Sequence, residues 1–303
     1  MHRCILKGLA VSLLVAGSLG AQGNVGPLVL ALPGGARAQS LGGAGVALSD
    51  HESIFDGPAQ LAIARGAGVA VQRYGGASTY AAMSAAMAFF GGGVGIGVQW
   101  LDFWRASEPL FETGGEPDLL ERGDDLASDV TAMLGYARTV RGFRVGLLAR
   151  YVGVRHTERG GTFAADLGVA RTIAFTTIAL SAQHLGQRLT VADQRIDLPR
   201  RYTLGVATRA YPLHAWFDIT AAAAIPVLED GTVLPGGGIE LSYVPIEGVS
   251  ITGRVGARAV RRGTESPYTA GASAGFDGIF VEYAYQQFEV PGSAHRIGIR
   301  VVP

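Results

Sequence analysis

The sequence has almost no cysteine and no net charge. Its one cysteine, Cys4, stands at the start of the 303-residue chain, so no disulfide can form within the chain. Lys and Arg number 25, as do Asp and Glu, which gives a formal charge of zero and no electrostatic bias towards nucleic acid. Because only 17 % of residues are charged and 48 % are hydrophobic, the chain is too apolar to be disordered.

The sequence beyond its first residues also lacks a run long enough for a membrane-spanning helix, which needs roughly 20 consecutive apolar residues. The best candidate, residues 77–100, is cut by three glycines at 91–93. After them Val94, Ile96 and Val98 alternate with Gly95 and Gly97. This period of two predicts a strand with glycine on one face.

The amino terminus has the composition of a secretory signal peptide. A basic head with Arg3 and Lys7 precedes the apolar run 9–19, and small residues lie near position 21. The run is too short to anchor the chain as a spanning helix. We therefore expect residues 1–21 to be cleaved, removing Cys4, and the mature protein to reach the bacterial outer membrane.

The rest of the sequence divides into amphipathic segments with the length and alternation of β-strands. We count fourteen, at residues 66–74, 78–90, 92–101, 126–139, 141–155, 161–172, 173–186, 197–211, 213–226, 232–245, 247–259, 266–276, 278–288 and 294–302. An even number is usual in bacterial single-chain barrels. The predicted fold is all-β: a transmembrane antiparallel up-and-down β-barrel over residues 63–303, with residues 22–62 as a hatch inside the lumen.

The connections between these segments alternate between tight turns and longer polar loops. The short set is 91–93, 140–142, 173, 211–213, 245–248 and 277–278; the long set is 102–125, 187–197, 229–231, 261–266 and 290–293. In outer-membrane barrels the short turns face the periplasm and the long loops face outwards. The alternation therefore predicts both the topology and its orientation.

Charged residues fall on one face of the predicted strands and apolar residues on the other. A lipid-facing Arg or Lys at mid-depth would cost roughly 2–4 kcal/mol, so the charged face is expected to line the lumen. The predicted lumen-lining residues are Arg144, Arg150, Asp166, Asp218, Glu240, Arg254 and Glu282. They could pair with one another, contact the hatch or bind a ligand. The alternative fold is a soluble all-β protein, which would require two stacked sheets.

Residues 35–62 resemble the amino-terminal segment of the PorV and PorQ proteins within the FadL-like outer-membrane barrels. The resemblance lies in the stretch 35–50, which reads GARAQSLGGAGVALSD, and in 55–62, which reads FDGPAQLA; shorter matches follow at 134–137, 165–169 and 295–298. It implies a fourteen-stranded barrel with a luminal hatch, whose gating residues would be Gly42, Gly43, Gly45, Asp50, Phe55 and Pro58. The sequence departs from the family pattern at Asp56–Pro58, at His184 and at the Val-Val-Pro end.

The resemblance implies passage of hydrophobic small molecules or service to type IX protein secretion. The partners would then be outer-membrane lipid and either a hydrophobic small molecule or secretion-machinery proteins. For the glycines at 42, 43 and 45 an ordinary tight turn is the alternative to gating.

No residue pattern indicates catalysis, a metal or another cofactor. The histidines are scattered, and no serine lies in a nucleophile elbow. The pairs His156 with Thr157 and His184 with Ser181 are the candidates for the alternative of a lipid-modifying barrel enzyme. A non-transporting structural barrel is the third reading.

Overall fold

The computed structural model describes residues 26–74, 78–103, 127–155, 158–191, 194–260, 265–289 and 292–303. Four short helical elements come first: the 3₁₀ helices η1 (Leu28–Leu30) and η2 (Pro58–Ala62) and the α-helices α1 (Ala36–Ser40) and α2 (Ser53–Asp56). The strands are β1 (Gly66–Tyr74), β2 (Ser78–Phe89), β3 (Gly92–Phe103), β4 (Ala127–Val140), β5 (Phe143–Arg155), β6 (Arg159–Ile173), β7 (Thr176–Gly186), β8 (Leu189–Val191), β9 (Gln194–Ile196), β10 (Arg201–Thr208), β11 (Tyr211–His214), β12 (Phe217–Leu228), β13 (Gly236–Ile246), β14 (Val249–Arg258), β15 (Glu265–Phe276), β16 (Ile279–Phe288) and β17 (Ser293–Val301).

Fourteen of these strands form one closed antiparallel barrel. Neighbours in the sheet follow chain order, β1 pairs with β17, and β10 pairs with both β7 and β12. Short β11 only extends the hairpin before β12, and β8 and β9 form a separate two-stranded sheet. The predicted all-β, fourteen-stranded up-and-down barrel is therefore confirmed, and the two-sheet alternative is excluded.

The tight turns explain how adjacent strands are joined at one end of the barrel, here called the turn end. At Phe90–Gly91, Arg141–Gly142 and Asp277–Gly278 both residues have positive φ, from 42° to 82°. Two consecutive residues with positive φ form a type I′ turn, whose twist matches that of the flanking strands. The opposite end, which carries the longer connections, is called the loop end.

The structure corrects three details of the strand prediction. The eighth strand runs from Arg201 to Thr208 rather than over 197–211, and residues 211–214, which include the predicted turn 211–213, form β11, which pairs with β12 as β10 does. The predicted loop 187–197 contains the β8–β9 hairpin. Gly92 and Gly93 lie in β3 rather than in a turn.

Side chains alternate sharply between the two faces of the wall. Large apolar residues are exposed on the outside, for example Val69, Ile96 and Leu147. Exposed aromatic side chains are found near both ends, for example Phe90 and Phe175 near the turns. An apolar band flanked by aromatic residues is the outer surface of a membrane barrel. No helix in the described ranges is long and apolar enough to cross a membrane.

Several sequence predictions lie outside the described residues. They are the signal peptide 1–21 with Cys4, the first residues of the hatch at 22–25, the loop 104–126, His156 with Thr157, and the loop tips 261–264 and 290–291. The cleavage of the signal peptide and the domain boundaries 1–21, 22–62 and 63–303 stay predictions.

Candidate functional site

Residues 26–65, here called the N-terminal segment, lie inside the barrel and carry η1, α1, α2 and η2. Val29 at one end donates its backbone N–H to Asp129 at the loop-end start of β4, at 3.4 Å. The segment then passes down the lumen and joins β1 at the turn end. Val29, Leu41, Ile54 and Leu61 are all fully buried.

Inward glycines of the wall give the N-terminal segment its room. A Cβ built on Gly146 would lie 2.6 Å from the backbone N of Ala59, and one on Gly168 would lie 2.8 Å from the same atom. Across the lumen, a Cβ on Gly238 would lie 2.9 Å from the Cα of Leu41. All three distances are below the 3.4 Å at which ordinary contact begins. The backbone of the segment therefore packs directly against the backbone of the wall.

Arg37 in α1 is the main ionic link between the segment and the wall. Its Nε and Nη2 donate to the two carboxylate oxygens of Glu240 on β13, at 3.0 and 2.9 Å, and its Nη1 donates to Asp50, at 3.1 Å. The paired Glu240 and Asp50 hold the pKa of Arg37 above its usual value despite burial, which acts in the other direction. A bidentate arginine–carboxylate pair fixes orientation as well as charge.

Further hydrogen bonds hold other parts of the segment. Asp56 accepts from Arg201 on β10 at 3.2 Å, and the carbonyl of Phe55 accepts from Gln183 on β7 at 2.8 Å. On the other side, Thr269 on β15 donates to the carbonyl of Ser40 at 3.0 Å. The segment is thus held on both sides of the lumen.

Glu52 and His51 are buried ionisable groups within the segment. The Glu52 carboxyl accepts the backbone N–H groups of Ala36 and Arg37, at 3.0 and 3.3 Å, at the start of α1. Burial, then the negative charges of Glu282 and Asp50, raise the pKa of Glu52 to about 8. Burial lowers the pKa of His51, whose Nδ1 is hydrogen-bonded to the Ser84 hydroxyl at 2.7 Å.

The residues predicted to gate the lumen all lie in this segment but have different surroundings. Gly42 and Gly43 have positive φ, 65° and 82°, in the turn that ends α1. Gly45 lies against Ala38 and the Asp56 carboxylate. Asp50 is paired with Arg37. Phe55 and Pro58 are buried. Gly42 and Gly43 thus form a tight turn, and Gly45 is a closely packed position.

The seven predicted lumen charges are mostly buried and paired with one another. Arg150 bonds to Asp166 at 2.6 Å, and Arg254 bonds to Glu240 at 2.6 Å and to Glu282 at 3.3 Å. Arg144 instead donates to threonine hydroxyls, and Asp218 is half-buried at the turn end. Within the described ranges Glu240 has hydrogen bonds to the segment, and Glu282 borders the same small space as His51 and Glu52 of the segment. The expected contact of Arg144, Arg150, Asp166 and Arg254 with the hatch stays a prediction.

The proposed pair His184 and Ser181 does not form. His184 lies at an irregularity in the β6–β7 pairing with φ of 60°, and its Nδ1 is hydrogen-bonded to the carbonyl of Pro199 at 2.8 Å. Ser181 is buried, and its hydroxyl has no hydrogen-bond partner in the described structure. In the described ranges no group of three or more His, Cys, Asp or Glu could hold a metal ion.

The N-terminal segment separates two regions of the lumen. Towards the loop end, Val29 and Leu30 belong to a buried apolar cluster with Tyr74, Tyr80 and Leu101. At the turn end there is a cavity of about 460 Å³ with a polar lining that includes Thr177, Asp218, Glu240 and Arg254. The segment therefore packs into an apolar cluster that extends from the loop end to Leu61 in η2, and it borders a polar cavity at the turn end.

Sequence reasoning missed the segment's own charged residues. The stretches that resemble the family, 35–50 and 55–62, contain Arg37 and Asp56, and Glu52 lies between them. The fourth residue, Arg201, begins β10. Their charge in an otherwise apolar, glycine-rich stretch was the available signal, since a buried charge requires a partner.

No protein-family model matches this sequence, and no curated protein matches it either. Among solved structures, it is similar to the toluene transporter TbuX of Ralstonia pickettii, with a TM-score of 0.50 and 12 % identity, covering 88 % of this chain and 96 % of that one. The CymD monoaromatic hydrocarbon channel gives 0.53 and 11 %, with coverage of 88 % and 96 %. A FadL homologue of Pseudomonas aeruginosa gives 0.50 and 10 %, with coverage of 88 % and 98 %. The chain therefore shares the barrel fold of these three proteins.

Proposed function

We propose that this protein is an outer-membrane channel that lets small hydrophobic molecules pass, with the N-terminal segment as its hatch. The observation that carries the proposal is the apolar cluster inside the barrel at the loop end, around Val29, Leu30 and Tyr80. A pore for ions or sugars would be lined by polar groups along its length. Here a hydrophobic molecule from the outside would meet apolar side chains.

The way the segment is held supports its role as a hatch. Its backbone fits against wall glycines, and its charges are bound to Glu240 and Arg201 by a few ion pairs. Such contacts can be broken as a set without unfolding the wall, whose backbone pairing runs from strand to strand around the barrel. Movement of the segment would open a path from the apolar cluster to the polar cavity at the turn end, which faces the periplasm in barrels of this kind.

The similar structures support the same class of function. By name, TbuX is a toluene transporter and CymD a monoaromatic hydrocarbon channel. Transport and channel proteins as structural neighbours support a role without catalysis. The resemblance to PorV and PorQ, and with it a role in type IX secretion, stays a prediction from the residues at 35–62.

Toluene uptake by cells tests the proposal. The host would be a Gram-negative strain without its own hydrocarbon channels, because a lipopolysaccharide leaflet slows unassisted passage of such molecules. We expect the wild-type protein to raise the initial rate of labelled toluene uptake above that of the empty strain. A rate equal to that of the empty strain, with the barrel present in the outer membrane, would refute transport and favour a structural barrel.

Conductance in a planar bilayer tests the hatch separately. We expect the wild type to carry no steady ion current and a variant lacking residues 22–62 to form an open pore. Gly253→Val is a matched control, because a Cβ at this outward-facing position meets nothing within 4 Å. It should behave as the wild type. Equal currents in the wild type and the deletion variant would show that the segment does not close the lumen.

A further inference from the structure

Three exposed arginines, here called the arginine patch, lie together on the outer surface of the barrel at its turn end. Arg138 lies near the end of β4, Arg141 lies in the β4–β5 turn, and Arg171 lies near the end of β6. Arg138 alternates in step with the outward-facing Leu134 of β4, and Arg171 alternates in step with the outward-facing Val169 of β6. Both side chains therefore leave the wall on its lipid-facing side.

The guanidinium groups of the patch have no ion pair and no hydrogen bond with the described residues. The Cζ of Arg171 lies 4.8 Å from the centre of the Phe143 ring, and contact with a ring face leaves the N–H groups at the edge of the guanidinium free. A Cβ built on Gly91 would lie 3.8 Å from Nη2 of Arg138, so Arg138 extends towards the neighbouring β2–β3 turn. The N–H donors of these side chains remain available to a ligand.

The strands around the patch supply no countercharge within their described residues. From β2 to β7 the described acidic residues are Asp102, Asp129, Glu158 and Asp166. The first three lie at the loop end, and Asp166 is buried in the lumen, where it pairs with Arg150. The patch is therefore a local excess of three positive charges.

Acidic residues of the turn end lie on the other side of the barrel. Glu247 is in the β13–β14 turn, and Asp277 is in the β15–β16 turn. In the order of the sheet, several strands separate these turns from β4–β6 in either direction. The charge at the turn end is thus positive on one side and negative on the other.

The surroundings of the patch select the kind of ligand. Exposed Phe143, Ile173 and Phe175 lie among the arginines on the same outer surface. A ligand that covers this surface must carry hydrocarbon beside its negative charge, as a phospholipid does and a soluble acidic protein does not. Because the turn end faces the periplasm, the lipid that reaches it belongs to the periplasmic leaflet. Arginine binds phosphate oxygens through paired, charge-assisted hydrogen bonds.

We propose that Arg138, Arg141 and Arg171 bind the head group of an anionic phospholipid from the periplasmic leaflet of the outer membrane. Its acyl chains lie along the outward-facing apolar residues of β4–β6. The net charge of the lipid decides the preference, because arginines near a membrane surface attract anionic lipids, whereas a zwitterionic lipid brings its own cation. The inference concerns the outer surface of the barrel and depends neither on transport nor on the hatch.

Quenching of a fluorophore by brominated lipids tests the site. The fluorophore is attached to the A174C thiol of the full chain in a C4S background, since Ala174 is exposed in the turn that follows Arg171. The labelled protein is placed in phosphatidylcholine bilayers with increasing fractions of dibrominated phosphatidylglycerol, phosphatidylcholine or phosphatidylethanolamine. We expect phosphatidylglycerol to bind beside the fluorophore about ten-fold more tightly than phosphatidylcholine, and phosphatidylethanolamine to bind as phosphatidylcholine does.

Substitution of the three arginines should remove this preference. We expect R138Q/R141Q/R171Q to bind the three lipids equally. The matched control is R73Q, because Arg73 is also exposed on the outer face but lies at the loop end of β1, beside the other leaflet. It should keep the ten-fold preference of the parent.

Folding of the variants is checked by the heat-dependent shift of the barrel in electrophoresis. If the triple variant does not fold, R138Q/R171Q serves, since it leaves Arg141 and its positive φ of 51° in the turn unchanged. We expect it to reduce the preference to about two-fold, as the loss of two of three similar cations predicts. An undiminished preference in either folded variant would overturn the site.

Other outcomes would also overturn the inference. Equal binding of phosphatidylglycerol and phosphatidylcholine by the parent would show that no such site exists, and loss of the preference in R73Q would show a diffuse effect of surface charge. Phosphatidylethanolamine binding as tightly as phosphatidylglycerol would contradict selection by net charge. Displacement of phosphatidylglycerol by an equal concentration of soluble glycerol phosphate would show a site for free phosphate. None of these results bears on toluene uptake, which tests the channel separately.

Discussion

Adding a side chain to Gly146 should displace the N-terminal segment from the wall. Gly146 faces inwards on β5, and a Cβ there would lie 2.6 Å from the backbone N of Ala59 and closer still to the carbonyl of Pro58. Because backbone atoms cannot rotate away as a side chain can, η2 would have to move by about 1 Å to reach ordinary contact. Gly168 and Gly93 also face the backbone of η2 at less than 3 Å from a built Cβ, so η2 is confined by three wall positions.

The size of the effect follows from this confinement. Overpacking a tight contact typically costs about 1–3 kcal/mol, and valine adds two methyl groups beyond the Cβ. We expect Gly146→Val to weaken docking of the segment by an amount near the upper end of that range. A second substitution, Gly93→Val, should then cost little more, because the segment has already left the surface that both residues contact.

Labelling of a buried cysteine measures docking directly. In a C4S background, A62C places a thiol on η2, where Ala62 is 7 % exposed. We expect slow reaction with a polar maleimide in the parent and at least ten-fold faster reaction with Gly146→Val, since about 1.4 kcal/mol corresponds to a factor of ten. Gly253→Val is the outward-facing control. Slow labelling in the Gly146 variant, or equal rates with the control, would refute the tight fit between segment and wall.

Three further predictions concern stability, measured as urea unfolding in detergent micelles. Arg150→Met leaves Asp166 buried without its cation and should lower the free energy of unfolding by about 3–5 kcal/mol. Adding Asp166→Leu should recover part of that loss. If the losses of the two single variants simply add in the double variant, the pairing is contradicted. The pKa of Glu52 is raised to about 8, so the folded state favours the protonated carboxyl. The contribution of this group to the free energy of unfolding is therefore complete below the usual pKa of 4.5, and it is lost as pH rises through 8. The unfolding midpoint should therefore fall between pH 4.5 and 8 in the wild type and fall less in Glu52→Gln; equal slopes would contradict it. Gly142→Ala should cost about 1–2 kcal/mol of stability because φ is +82° there. Gly253→Ala is the control and should cost much less, since a Cβ meets no atom within 4 Å at either position but φ is positive only at Gly142. Equal losses would contradict the backbone explanation.

The strands were predictable because each residue in the wall of a membrane barrel faces either lipid or the lumen, and the two faces alternate along the strand. Ile297 and Ile299 face lipid while Arg296 and Glu282 lie inside, and any shift of register by one residue would exchange the two faces. The tight turns were also readable, since Asp277–Gly278 has the composition of a type I′ turn. The β8–β9 hairpin escaped prediction because its two strands of three residues are shorter than the window in which periodicity shows.

The interior was harder to predict than the wall. Arg37 and Glu240 are 203 positions apart, and nothing in sequence spacing brings them together. Some lumen charges pair within the wall, as Arg150 does with Asp166 on the adjacent strand, and others such as Glu240 also bond to the segment; the sequence does not show which. Gly95 and Gly97 were predicted to share one face of a strand, and a Cβ added at either would come within 3.0 Å of Leu61 or Ile54. Which glycine accepts which part of the N-terminal segment depends on the three-dimensional path of the chain.

Reversible locking of the N-terminal segment tests the central claim most directly. The Cβ of Ala59 would lie 3.3 Å from a Cβ built on Gly168, close to the range of about 3.5–4.5 Å found in disulfides. In the C4S background, the A59C/G168C pair would be oxidised in cells and toluene uptake measured before and after addition of a reductant. We predict negligible uptake in the oxidised state and recovery to the rate of the C4S parent on reduction. Uptake at the parental rate with the disulfide formed would contradict the role of the segment as the gate.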